Sequence, residues 1–203
     1  KQKNTAPVSV DVTNNCKRPM GLKIGSKTIK LNAGETSGSK VIKSSKNNAY
    51  EYTFVGAKRE PGYVFFEAGG KYAVRIHSCG KSWANLDTRN LGPRPKGISP
   101  NAAAHVRFRS FRIKGQRLPN IEYRSGKRGR FKRLSVAFTP YIKSPGGGYN
   151  FGLKLKHGRT GPVLKMLNSQ VKVEPGKNYL IEAVVVNGEV LIKFEDEGYP
   201  RKK

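Results

Sequence analysis

Acidic residues are scarce. The 203-residue chain holds 13 Asp or Glu against 40 Lys or Arg, a formal net charge of +27. A surface with that balance cannot neutralise itself. Self-repulsion opposes compaction, and a partner of opposite sign relieves it. The expected counterpart is an anionic polymer, surface or mineral. Long apolar runs are missing too: none approaches the ~18 residues of a membrane-spanning helix, so no transmembrane segment is expected. There is no N-x-S/T sequon, so glycosylation gives no clue to compartment. Cysteine occurs only at 16 and 79, and histidine only at 77, 105 and 157. The sequence has no zinc-finger spacing, helix-turn-helix pattern, RRM signature, KH loop or bZIP heptad, which leaves electrostatics as the route to any nucleic acid. No cofactor motif is present, and His77-Ser78-Cys79 supplies too few ligands for a metal site.

What is present is a low but sufficient stock of apolar residues, 36% of the chain, arranged in short alternating runs. Val8, Val10 and Val12 alternate with polar residues, as do Tyr50, Tyr52 and Phe54, then Tyr72, Val74 and Ile76, then Tyr149, Phe151, Leu153 and Leu155. A period of two marks half-buried strands. Leu22–Ile24 and Ile29–Leu31 flank the turn at 25–27 and read as a hairpin. Asn187-Gly188 between two β-rich runs reads as a two-residue hairpin turn. Many short strands punctuated by turns point to an all-β protein, an antiparallel sandwich or jelly roll. Residues 92–100, GPRPKGISP, read as a linker. The expected organisation is therefore a small sandwich over 1–92, a Pro/Gly linker over 93–100 and a basic sandwich over 101–203. No internal repeat is visible. Both halves share the charge, 18 basic against 6 acidic residues in 1–96 and 22 against 7 in 97–203, so the excess is not a detachable arm.

The two cysteines read as one disulfide, with two buried free thiols as the alternative. A bridge closing that loop would stabilise by about 3–4 kcal/mol in the chain-entropy model, and it implies an oxidising compartment. The chain starts with Lys1, not Met. The expectation is a mature secreted or periplasmic protein.

The densest feature is RFRSFRIKGQRLPNIEYRSGKRGRFKRL. Arg107, Arg109, Arg112, Lys114, Arg117, Arg124, Lys127, Arg128, Arg130, Lys132 and Arg133 stand there against one acid, Glu122. Arginines on one strand face form an array of forked donors suited to phosphate, sulfate or carboxylate. Alternation, repaired by a bulge near Arg109-Ser110, places Arg107, Arg109, Arg112 and Lys114 on one face. SGKRGR reads as an adaptable basic loop. Phe108, Phe111 and Phe131 fit inward core positions. Glu195-Asp196-Glu197 is expected to pair with basic residues, the tail Arg201-Lys202-Lys203 among the candidates.

Residues 134–196 hold LSVAFTPYIKSPGGGYNFGLKLK, PVLKMLN and VEPGKNYLIEAVVVNGEVLIKF, and the last of these resembles a hairpin of concanavalin A-like sandwiches, a superfamily with laminin G-like modules and jelly-roll polysaccharide lyases. The resemblance implies a β-sandwich and glycan contact on a sheet face. For the lyase branch it implies a neutralising Arg and a Tyr or His base, for which Arg107, Arg109, Tyr149 and His157 are the nearest candidates. The lyase's Gln-x-His strand is not in the sequence. Non-catalytic binding of an anionic polymer or surface (acidic glycan, nucleic acid or cell-envelope polymer) is therefore the leading expectation. The alternatives are a polysaccharide lyase or hydrolase of an acidic glycan, and a structural component docking on an acidic protein.

Overall fold

The computed structural model describes residues 6–45, 47–56, 61–80, 84–111, 120–145, 147–186 and 188–200. Among them it has sixteen strands and no helix, and the chain divides into two compact units, 1–93 and 94–203.

The first unit holds β1 (Val8–Asn14), β2 (Met20–Ile24), β3 (Lys27–Leu31), β4 (Thr36–Ile42), β5 (Ala49–Phe54), β6 (Gly62–Phe65), β7 (Lys71–His77) and β8 (Asn85–Asn90). One of its sheets runs β4-β1-β7-β8 and the other β3-β2-β5-β6. Every second residue of β1 is buried, as a strand with one face on a core requires. Val8, Val10 and Val12 join Leu22, Ile24, Tyr52 and Phe66 in one apolar cluster.

β1 and β7 are parallel, with Asn14 opposite Ile76, so the residues that follow them leave the sheet at the same end. Cys16 and Cys79 meet there in a disulfide with Cα atoms 5.8 Å apart, within the ~4.4–6.8 Å that the bond requires. Reducing cytosol does not sustain such a bond, which places the protein in an oxidising compartment. No helix among the described residues is long and apolar enough to cross a membrane.

The second unit holds β9 (Ala104–Ser110), β10 (Asn120–Ser125), β11 (Lys132–Arg133), β12 (Ile142–Ser144), β13 (Gly147–Lys156), β14 (Val163–Val173), β15 (Asn178–Val186) and β16 (Glu189–Gly198). Its sheets run β12-β9-β15-β16 and β11-β10-β13-β14. Phe108 lies in its core, stacked on Tyr123 at 4.9 Å and edge-on to Phe151 at 5.9 Å.

The two units have the same topology. Each strand of the first corresponds to the strand eight places later in the second, down to the parallel pairs β1 with β7 and β9 with β15. Individual hydrogen bonds recur. The Glu67 amide donates to the Tyr72 hydroxyl at 2.9 Å, and the Glu174 amide to the Tyr179 hydroxyl at 2.8 Å. Asn15 donates to the Ile76 carbonyl and Phe111 to that of Ala183. Gly92 and Gly198 donate to the side chains of Asn90 and Asp196. A Glu-x-Gly-x-x-Tyr turn thus recurs at 67–72 and 174–179, its glycines at φ +75° and +76°, where a Cβ is disfavoured. That six-residue motif is too short to stand out in the sequence, and the rest of the repeat is written in backbone geometry and alternating burial, which many residue types satisfy.

Candidate anion-binding face

The eleven basic residues of 107–133 fall into distinct settings. Arg112, Lys114 and Arg117 lie outside the described residues. Arg107 and Arg109 share one face of β9, as alternation requires, and both meet carboxylates. Arg107 Nε donates to Glu197 Oε2 at 3.0 Å, with a second contact to Oε1. Arg109 Nε donates to Glu182 Oε2 at 2.5 Å. Register explains this: Glu182 on β15 sits opposite Arg109 on one side and Lys193 of β16 on the other. The three charges form a row across the sheet, with Lys193 Nζ 3.2 Å from Glu182 Oε1. The Phe138 ring covers both guanidinium groups at 3.8 and 4.7 Å. These two arginines are therefore matched by acids 90 and 73 positions away in sequence.

The Glu195-Asp196-Glu197 cluster disperses in the same way: Glu197 meets Arg107, Asp196 meets Lys177 at 2.9 Å and Glu195 meets Lys193 at 3.4 Å. The tail, residues 201–203, lies outside the described residues.

The other six cations lie on or beside the β10–β11 hairpin. Lys127, Arg128, Arg130, Lys132 and Arg133 are all exposed. No carboxylate of the described residues is within salt-bridge distance of any of the five. Glu122, the one acid in the run, sits 3.5 Å from Lys156 instead.

Arg124 faces outward from β10 in a row with Gly152 of β13 and Asn168 of β14. Its Nη2 donates to Asn168 Oδ1 at 2.7 Å. Phe131 stands on this outer face, not in the core where alternation placed it. Its ring carries the Lys154 ammonium at 3.7 Å and the Arg124 guanidinium at 4.9 Å, contacts that favour an aromatic ring beside clustered cations. Phe108, by contrast, is fully buried.

A cavity of about 440 Å³ opens along these strands, lined by Arg124, Lys127, Asn150, Asn168 and Gln170 among others. Two glycines lie under the side chains of this face. A Cβ at Gly148 would lie 2.1 Å from Gln170 Nε2, and one at Gly152 would lie 3.1 Å from Asn168 Oδ1 and 3.2 Å from the Phe131 ring. The three carboxamides were missed in the sequence. Their only signal there is position: Asn150 falls between the inward residues Tyr149 and Phe151 of β13, and Asn168 and Gln170 alternate with Met166 and Lys172 along β14.

Tyr149 and His157 do not share a site. Tyr149 points into the core, donates to Ser125 Oγ at 2.8 Å, and has its pKa raised by burial against the lowering effect of that bond. His157 lies exposed in the turn after β13. Eight residues of extended strand separate them by about 25 Å.

No protein-family model matches this chain, and no curated protein does. A crystal structure described as a "putative cell adhesion protein" from Bacteroides ovatus aligns over all of both chains at 8% identity and a TM-score of 0.28. A likeness that low carries no argument about fold or function.

Proposed function

We propose that this is a secreted or periplasmic, non-catalytic binding protein for an anionic polymer, and that the β10–β11 hairpin with the groove beside it is the contact surface. One observation carries the reading. Five cations lie within seven consecutive positions, 127–133, all exposed and none within reach of a carboxylate among the described residues. Elsewhere in the same unit, Arg107, Arg109, Lys177 and Lys193 each hold an acid. Unmatched charge at this density needs counterions in the free protein. A polyanion that displaces them gains the entropy of their release, and the association weakens steeply with salt. The loop supplies charge, while Arg124 and its neighbours supply directed hydrogen bonds.

The test is chromatography on immobilised heparin. Replacing Lys127, Arg128, Arg130, Lys132 and Arg133 with Gln should move elution to markedly lower salt. Elution at an unchanged salt concentration would remove the hairpin from the account. Retention by a strongly acidic protein, with none by polymers, would instead favour docking on a protein partner.

A further inference from the structure

We propose that the groove between Arg124, Asn150, Asn168 and Gln170 recognises the hydroxyl groups of an acidic polysaccharide, giving the protein a preference for that class over nucleic acid and polyphosphate. This deepens the polyanion reading above and rests on it.

The argument is one of hydrogen-bond chemistry. The side-chain amides of Asn150 and Gln170 have no hydrogen-bond partner among the described residues. Asn168 is held by its oxygen on Arg124 Nη2 at 2.7 Å, which leaves its N–H groups for a ligand. A carboxamide presents donors and an acceptor in one plane. A sugar hydroxyl both donates and accepts, so it satisfies either half. A phosphodiester or polyphosphate oxygen at neutral pH only accepts, and it would leave the amide oxygens of Asn150 and Gln170 without donors. An acceptor left unpaired on binding costs about 1–3 kcal/mol where it is buried, which is the physical basis for selection.

The geometry favours the same class. Gly126, Phe151 and Ser169 complete the lining of the groove, and the Gln170 amide lies over Gly148, where a side chain would clash. The groove, about 440 Å³ and open to solvent along its length, admits a chain lying across the strands. The ring beside the groove is not free to stack a nucleobase, because Phe131 is half-buried and already carries the cations of Lys154 and Arg124. Stacking on open aromatic faces is the usual source of affinity for single-stranded nucleic acid. Arg124 and Lys127 at the groove wall then meet the carboxylate or sulfate of the glycan.

The experiment compares the intact protein on polygalacturonate, heparin, polyphosphate and single-stranded DNA, by calorimetry at one fixed salt concentration. Polygalacturonate and heparin separate carboxylate from sulfate as the source of charge. The expected result is at least one glycan bound ~10-fold more tightly than polyphosphate and DNA, a margin of about 1.4 kcal/mol. The triple substitution Asn150→Ala, Asn168→Ala and Gln170→Ala should erase that margin. Gly148→Ala changes no charge, sits at an ordinary φ and displaces the Gln170 amide, so it should shrink the margin as well. Equal affinity for all four polymers, or a margin that survives the triple substitution, overturns the inference while the charge-based reading stands. Failure to bind any polymer overturns both.

Discussion

Lys177 is 1% exposed, and its ammonium lies 2.9 Å from both Glu174 Oε2 and Asp196 Oδ2. Burial alone would lower its pKa, but the Asp196 carboxylate and the bonds to both acids raise it by more, so the net shift is upward. Tyr179 beside it is also raised, first by burial and then by Asp196. Both shifts act in the same pH window. A group whose folded pKa lies above its unfolded value contributes stability that is intact below the unfolded value, near 10 for both residue types, and that fades as pH climbs toward the folded value. Unfolding by urea should therefore show stability that falls above about pH 10. Lys177→Met should lower stability at neutral pH by about 3–5 kcal/mol, because it leaves two acids facing each other without their cation. A loss below 1 kcal/mol would mean that Lys177 does not organise this turn. Nothing in the sequence pointed to it: Lys177 sits in a Pro-Gly turn that reads as exposed, and its partner Asp196 belongs to another strand.

At the scale of elements, hairpins and alternation were legible and distant pairing was not. Tyr149, Phe151, Leu153 and Leu155 mark the buried face of β13 as the period of two requires. The hairpin around Gly25 appears as β2 and β3. β15 pairs with β16, Val186 opposite Glu189; Asn187 lies outside the described residues. The parallel pairings have no local signature, because they depend on strands brought together across whole units. For the same reason the carboxylates that hold Arg107 and Arg109 could not be read. The parallel pair β1 and β7 also brings Cys16 to Cys79. That bridge spans 63 positions, so replacing both cysteines with serine should destabilise the first unit by about 3–4 kcal/mol. Differential scanning calorimetry checks this. An unchanged unfolding profile would show that the two strands hold their register without the bond.

For the molecule as a whole, one sandwich topology occurs twice and carries its charge differently in each copy. The halves differ little in excess charge, 18 basic against 6 acidic residues before position 97 and 22 against 7 after it. What distinguishes the second unit is local: a hairpin with five cations that no carboxylate of the described residues neutralises, beside a groove of carboxamides. Lys17, Lys23, Lys27, Lys30 and Lys43 of the first unit are exposed as well, but they are spread over positions 17–43. Binding at the hairpin and binding by net charge alone therefore predict different behaviour. Two variants settle it, each with five cations changed to Gln and each lowering the formal charge from +27 to +22: one in the hairpin at 127, 128, 130, 132 and 133, the other at those five lysines of the first unit. The measurement is the heparin association constant as a function of salt. Loss of five polymer contacts should flatten the log–log slope of the hairpin variant by about 4, at roughly 0.7–0.9 per contact by analogy with nucleic acids, while the first-unit variant keeps the slope of the unaltered protein. Equal slopes for the two variants would contradict the account, because binding would then follow total charge and not the hairpin.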